Sequence, residues 1–232
     1  MACGSAERKA KAGLLRKPPA RSQITISTGA SKLHRRSDKI MGRAETKLTR
    51  KRDLIQATVT CVNRYGYAES TIQKIAAEAG FTGGTIYRHF KNKTDLFEAT
   101  MRQLLNLVLK EESAAIASAD SDIDRLRAVI TSKFSPALFN SEFCTVWLHF
   151  WANAHSDPKF ARIERLSDKL LQRSLNRYAG KVLPPADSAA FSTEAALIID
   201  GLWVEHAQKR SELTSHVAKE VALGSLEARL GR

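Results

Sequence analysis

Cysteine is almost missing from this 232-residue chain. The three present, Cys3, Cys61 and Cys144, are far apart and form no Cys-x-x-Cys pair. An odd, scattered set argues against both a disulfide framework and a zinc site. No stretch approaches the roughly 18 apolar residues of a membrane-spanning helix. The N-terminus lacks the apolar core of a secretory signal. The expectation is a cytoplasmic protein with no membrane partner. Alternating strand patterns are also missing, which turns the reading towards helices.

The usual marks of an enzyme are missing too. No glycine-rich phosphate loop precedes a helix, no His-x-x-x-His pair occurs, and no Ser/His/Asp grouping can be placed. His149, His155, His206 and His216 are scattered, and each reads as a surface or satisfied core histidine. No catalytic residue, metal site or cofactor is expected. A small-molecule-binding helical enzyme and a protein-binding helical adaptor are the competing classes. The adaptor leaves the charge distribution unexplained.

Charge is what the chain has in excess, and it is unevenly placed. The formal net charge is +13. Residues 1–40 hold ten basic and two acidic side chains, residues 41–95 ten and five, and residues 96–232 seventeen of each. A basic N-terminal part on a neutral body suits one region that meets a polyanion and one that does not. Residues 1–45 read as a disordered basic extension, with Pro18-Pro19 and no sustained apolar period. Such an arm would neutralise DNA phosphates. Met41 is an alternative start, which would make the first 40 residues an overlong reading frame. A transit peptide is a third option.

From Thr46 onward the pattern is helical. Leu54, Ile55, Thr58, Val62 and Tyr65 follow a 3.6-residue period that Gly66 ends. Ser70 and Gln73 have capping-box spacing. Gly80 stands where a left-handed cap is wanted. A short helix is expected over residues 84–90. A long one follows Asn92, with Phe97, Met101, Leu104 and Val108 on one face. Further helices are expected near residues 122–134, 141–155, 158–180, 188–208 and 213–230, punctuated by Pro136, Pro158 and Pro184-Pro185. The fold class is all-α with about nine helices. Residues 46–108 form a three-helix head, and residues 109–232 a sensing and dimerisation bundle.

The strongest motif lies at residues 71–90, two short helices joined by Gly80-Phe81-Thr82-Gly83. Gly80 permits the positive φ of a sharp reversal, Phe81 can plug the core beneath it, and Thr82 can cap the second helix. Ile86 and Phe90, four apart, pin one face of that helix. The other face is left to polar side chains, as a recognition helix in a major groove requires. An ordinary charged helical hairpin is the bland alternative. Arg88 is a candidate to read guanine, at about 1–3 kcal/mol of discrimination, and Thr85 to meet a base edge. Tyr87 and Lys93 are candidates for phosphates. Thr71, Gly83, Gly84 and His89 complete the expected DNA-facing set.

Residues 48–108 resemble the DNA-binding domain of the TetR family of bacterial regulators. The resemblance rests on Thr-Ile-x-x-Ile-Ala-x-x-Ala-Gly at 71–80, on Gly-Thr-Ile-Tyr-Arg-His-Phe at 84–90, and on Lys93, Leu96 and Glu98-Ala99 beyond. It implies a homodimer, two recognition helices in successive major grooves of a double-stranded operator, and a C-terminal pocket whose ligand moves the heads apart. It also implies a four-helix dimer interface from the last two helices of each subunit.

Two of the three tryptophans sit at Trp147 and Trp151, on one helix face, and Phe150 is three residues from Trp147. A second segment, Leu-Ile-Ile-Asp-Gly-Leu-Trp at 197–203, is apolar nearly all round except for Asp200, with Trp203 at i+3. A carboxylate beside aromatic rings suits an organic cation. Core tryptophans, an arginine partner for Asp200, or a dimer contact are the plainer readings. These two strings, with Glu98-Ala99-Thr100-Met101-Arg102, resemble the choline-responsive BetI branch of the TetR family. That resemblance implies a repressor of choline-to-glycine-betaine genes whose effector, choline or a related quaternary ammonium, binds at Trp147, Phe150, Trp151, Asp200 and Trp203. A TetR-type repressor sensing a drug or another organic cation is the alternative.

Overall fold

Side-chain caps and apolar periods divide the chain into helices almost where the residues suggest. The computed structural model describes residues 30–208 and 212–230, with side chains from Leu48 onward. Among these are nine helices and no strand. Contacts divide the chain into two units, residues 1–45 and 46–232. Of the extension expected to be disordered, residues 1–29 lie outside the described residues. The expectation is corrected for residues 30–45, which fall in the helix α1, Ala30–Glu69. Ala30, Lys32, Leu33, Arg35 and Arg36 are good helix formers, and no proline interrupts them.

Gly66 breaks α1. Its φ of 75° and ψ of 171° lie in a region almost reserved for glycine. Tyr65, expected on the apolar face, is 42% exposed; its ring instead carries the cations of Arg64 and Lys74. α2 spans Ile72–Glu78 and α3 Gly83–Tyr87. The capping box expected at Ser70 is corrected. Thr71 is the cap, accepting from the Lys74 amide, while the Ser70 hydroxyl donates to Gly66 O. α4, Lys93–Ala117, starts at Asn92, whose side chain accepts from the Asp95 amide.

The body follows as α5 (Asp122–Ser132), α6 (Ser141–Ala154), α7 (Pro158–Val182), α8 (Pro185–Gln208) and α9 (Ser215–Arg229). Ser121, Asn140, Asp157 and Thr214 cap α5, α6, α7 and α9. Helix α7 packs on α4, α5, α6 and α8, while α9 closes on α5 and α8. The Arg127–Glu227 pair, at 2.9 Å, ties α5 to α9. The 108/109 boundary drawn on the sequence falls inside α4, one uninterrupted helix shared by head and body.

Candidate functional site

The head is built to hold α3 by one face. Ile86 is fully buried and Phe90 nearly so, in the same apolar core as Leu54, Val62 and Ile75. Gly80, at φ 69°, turns the chain between α2 and α3, and Phe81 packs partly buried on the core. The opposite face is open. Tyr87 is 58% exposed, and Arg88 is exposed with no ion pair among the described residues. Thr85 is half-buried, and its hydroxyl lies 3.4 Å from that of Thr82. Thr82 has the backbone of a cap, but its side chain makes no capping bond, which corrects that expectation. Thr71 and Gly84 are exposed, and Gly83 and His89 are half-buried.

Lys93, expected to hold a phosphate, is engaged within the protein. Its ammonium turns inward and donates to the carbonyls of Tyr67 and, at 2.9 Å, Ala68, at the end of α1. It also lies 4.3 Å from the centre of the Tyr67 ring. Partial burial pushes its pKa down. Lys93 therefore ties the start of α4 to the end of α1, adding a donor to carbonyls of the last helical turn. Tyr67 stands edge-on to Phe97 of α4 and Phe160 of α7. Lys159 of α7 pairs with Asp95 and, at 3.3 Å, Glu98 of α4.

In the body, four of the five expected ligand residues converge. Trp147 and Trp151 from α6, and Asp200 and Trp203 from α8, line one cleft of about 660 Å³ counted to its open mouth. The Trp147 ring is perpendicular to Trp151 at 6.4 Å and to Trp203 at 5.7 Å. Phe150 is corrected: it is buried against Phe160 and the edge of Trp147 and does not line the cleft. At about 100° per residue, its position in the helix turns it about 60° from Trp147 and about 100° from Trp151, off the face those two share.

The sequence reading missed the charged walls. Glu164 and Asp168 of α7 share the rim with Asp200. By surface area Asp200 is accessible, yet it lies recessed in a groove between α7 and α8, and the surrounding protein sets the field it feels. Desolvation first, then repulsion from Asp168 and Glu164, pushes its carboxyl up to about 6. No arginine or lysine pairs with it among the described residues. Deeper in, Glu112 of α4 and Lys133 at the end of α5 form a buried ion pair. Ser174 donates to the other Glu112 oxygen, and the Trp203 indole donates to Lys133 O at 3.1 Å. The cleft also touches α4 at Leu105, Val108 and Leu109.

Nothing points to metal or thiol chemistry among the described residues. Among the described residues, no group of His, Cys, Asp and Glu is arranged to hold a metal ion. Cys61 and Cys144 are buried, and burial pushes the Cys144 thiol up to about 12, where it stays protonated. Cys3 lies outside the described residues. Among the described residues, no helix is long and apolar enough to cross a membrane.

Comparison with known proteins identifies the family. Residues 54–100 match the family described as bacterial regulatory proteins, tetR family. Residues 122–231 match the BetI-type transcriptional repressor C-terminal family. The HTH-type transcriptional regulator BetI of Stenotrophomonas maltophilia is 31% identical over 183 residues, covering 78% of this chain and 93% of that protein. The regulator of the same name from Serratia proteamaculans is 35% identical over 161 residues, covering 68% and 81%. Among solved structures, a transcriptional regulator of Pseudomonas aeruginosa PAO1 superposes with a TM-score of 0.67 at 27% identity, covering 78% of this chain and 92% of that one. A transcriptional regulator of Saccharomonospora viridis, solved in complex with choline, has the same fold, with a TM-score of 0.66 at 20% identity, over 76% and 95% of the two chains. These relatives are regulators, which answers the enzyme alternative. The chain belongs to the TetR family of bacterial transcriptional regulators, with a body of the BetI repressor type.

Proposed function

We propose that this repressor acts in the cytoplasm as a homodimer that releases a double-stranded operator when choline or a related quaternary ammonium enters the body. The genes it controls are those converting choline to glycine betaine. Residues 46–108 read DNA and residues 109–232 sense the ligand. The observation that carries this reading is the tryptophan-walled cleft with three rim carboxylates, pressed against the helix that continues into the head. Ring faces attract a quaternary ammonium by about 0.5–2 kcal/mol each, and carboxylates supply the charge that rings alone lack.

DNA recognition falls to α3. Arg88 supplies base discrimination and Thr85 a base-edge contact, while Tyr87 holds a phosphate. Gly84 is exposed and no atom crowds the Cβ position of Gly83, which allows close approach to the groove. Control follows from the continuity of α4. A cation that prefers the arrangement of α4 with the heads apart shifts the population towards it by its difference in affinity. Leu105, Val108, Leu109 and Glu112 are the α4 residues that feel such a ligand.

The test uses the full chain with its operator fragment in a fluorescence anisotropy titration. Millimolar choline is expected to release the fragment. Arg88→Ala is expected to lose specific binding while keeping the thermal midpoint. Failure of choline with release by a bulkier organic cation would favour the drug-sensing alternative. Undiminished specificity in Arg88→Ala would remove that residue from the reading head.

A further inference from the structure

The floor of the cleft carries more hydrogen-bonding capacity than the protein itself uses. Lys133 is only 3% exposed. An ammonium has three N–H donors, and among the described residues the only acceptor for this one is Glu112 Oε2. Lys133 lines the cleft, so an oxygen entering there can take up the donor capacity that Glu112 leaves over, and filling that capacity stabilises a buried polar group. Glu112 is 7% exposed. One oxygen takes Lys133 and the other takes the Ser174 hydroxyl, yet each carboxylate oxygen has a second lone pair. The floor thus presents a spare donor beside a spare acceptor.

That pairing selects among polar groups. A hydroxyl both accepts and donates, so it satisfies Lys133 and Glu112 together. A carboxylate would accept from Lys133 but would meet the Glu112 charge at once. The rim adds three carboxylates, Glu164, Asp168 and Asp200, so the cleft disfavours any ligand that brings a further negative charge. A purely alkylated ammonium would fill the aromatic zone and leave the floor donors unanswered. We propose that the Lys133–Glu112 pair is the specificity-determining element of the cleft, reading the hydroxyl of a cationic amino alcohol whose ammonium lies among the tryptophans and the rim carboxylates. This rests on the reading of the cleft as an organic-cation site.

Isothermal titration of the full chain with choline, propyltrimethylammonium and glycine betaine tests it. Propyltrimethylammonium keeps the size and charge of choline and replaces its hydroxyl by a methyl. Choline is expected to bind at least about tenfold tighter, the usual loss when a buried hydrogen-bonding site meets an apolar isostere. The double variant Glu112→Leu/Lys133→Met removes both charges together, a replacement that folds often tolerate. In it the two cations are expected to bind within about twofold of each other. Equal binding of the two by the wild-type chain overturns the assignment, as does tighter binding of glycine betaine than of choline. An unchanged ratio in a folded double variant also overturns it. If the double variant does not fold, the wild-type ratio decides alone. Binding of neither cation to the wild-type chain sinks the cation reading itself, and this one with it.

Discussion

Asp200 offers a sharp test of the sensing mechanism because its own protonation should gate the cation. The carboxyl is pushed up to about 6, chiefly by desolvation and then by Asp168 and Glu164 on the facing helix. Arg165 and His155 border the neighbouring groove that Asp200 also lines, and belong to the same field. A group with that pKa is almost fully ionised at pH 7.5 and about a quarter ionised at pH 5.5. If the cation needs the charged form, affinity should fall about fourfold across that interval and about tenfold by pH 5. Calorimetric titration of choline at pH 7.5, 6.5 and 5.5 measures the slope. Asp200→Asn should bind more weakly than the wild type at pH 7.5, and its remaining affinity should be nearly flat with pH. The sign for stability is opposite. A carboxyl whose folded pKa is raised favours the fold while protonated, and that contribution is lost as pH rises through about 6. The empty Asp200→Asn protein should therefore melt no lower than the wild type at pH 7.5. A flat wild-type profile, or full choline affinity in Asp200→Asn, would refute the reasoning.

Two further outcomes concern the frame around the site. Gly66→Ala should destabilise the chain by about 1–3 kcal/mol, since φ is 75° there and an added Cβ would stand 3.3 Å from the His149 ring; an unchanged denaturation midpoint would remove that constraint. Leu197, Val217 and Val221 are 67%, 42% and 50% exposed on α8 and α9 of the single chain. Leu197→Asp should convert the proposed homodimer into a monomer by light scattering, and an intact dimer would move the interface elsewhere.

Much of the molecule was legible because its signals are local. Asn92, Pro158 and Gly80 stand where helices start or turn, and the structure uses them so. The apolar pair Ile86 and Phe90 announced which side of α3 faces inward. The errors arose where two local signals competed. Ser70 and Thr71 are both capping residues one position apart, and only the fold shows that Ser70 is buried and bonded back to Gly66. Phe150 shares an aromatic run with Trp147 and Trp151, but Phe160 of α7 draws it away from the cleft.

The cleft's charged residues did leave a trace. Glu112 continues the stripe of Leu104, Leu105 and Val108 on α4, and Lys133 that of Leu126, Val129 and Ile130 on α5. A charge in register with an apolar stripe is a sign of a buried pair. Nothing local says that these two meet, or that Ser174 joins them.

The sequence by itself determined the helical class, the approximate span of most helices, the position of the helix-turn-helix motif and the family. Those depend on periodicity and on contacts a few residues long. Only the tertiary structure decided that Lys93 turns inward to the end of α1. It alone brought Trp147, Trp203, Glu164, Asp168 and Asp200 around one cleft, with Lys133 and Glu112 beneath them. These are meetings between helices distant in sequence, and close packing of several helix faces, rather than any one helix's pattern, selects which side chains share a wall.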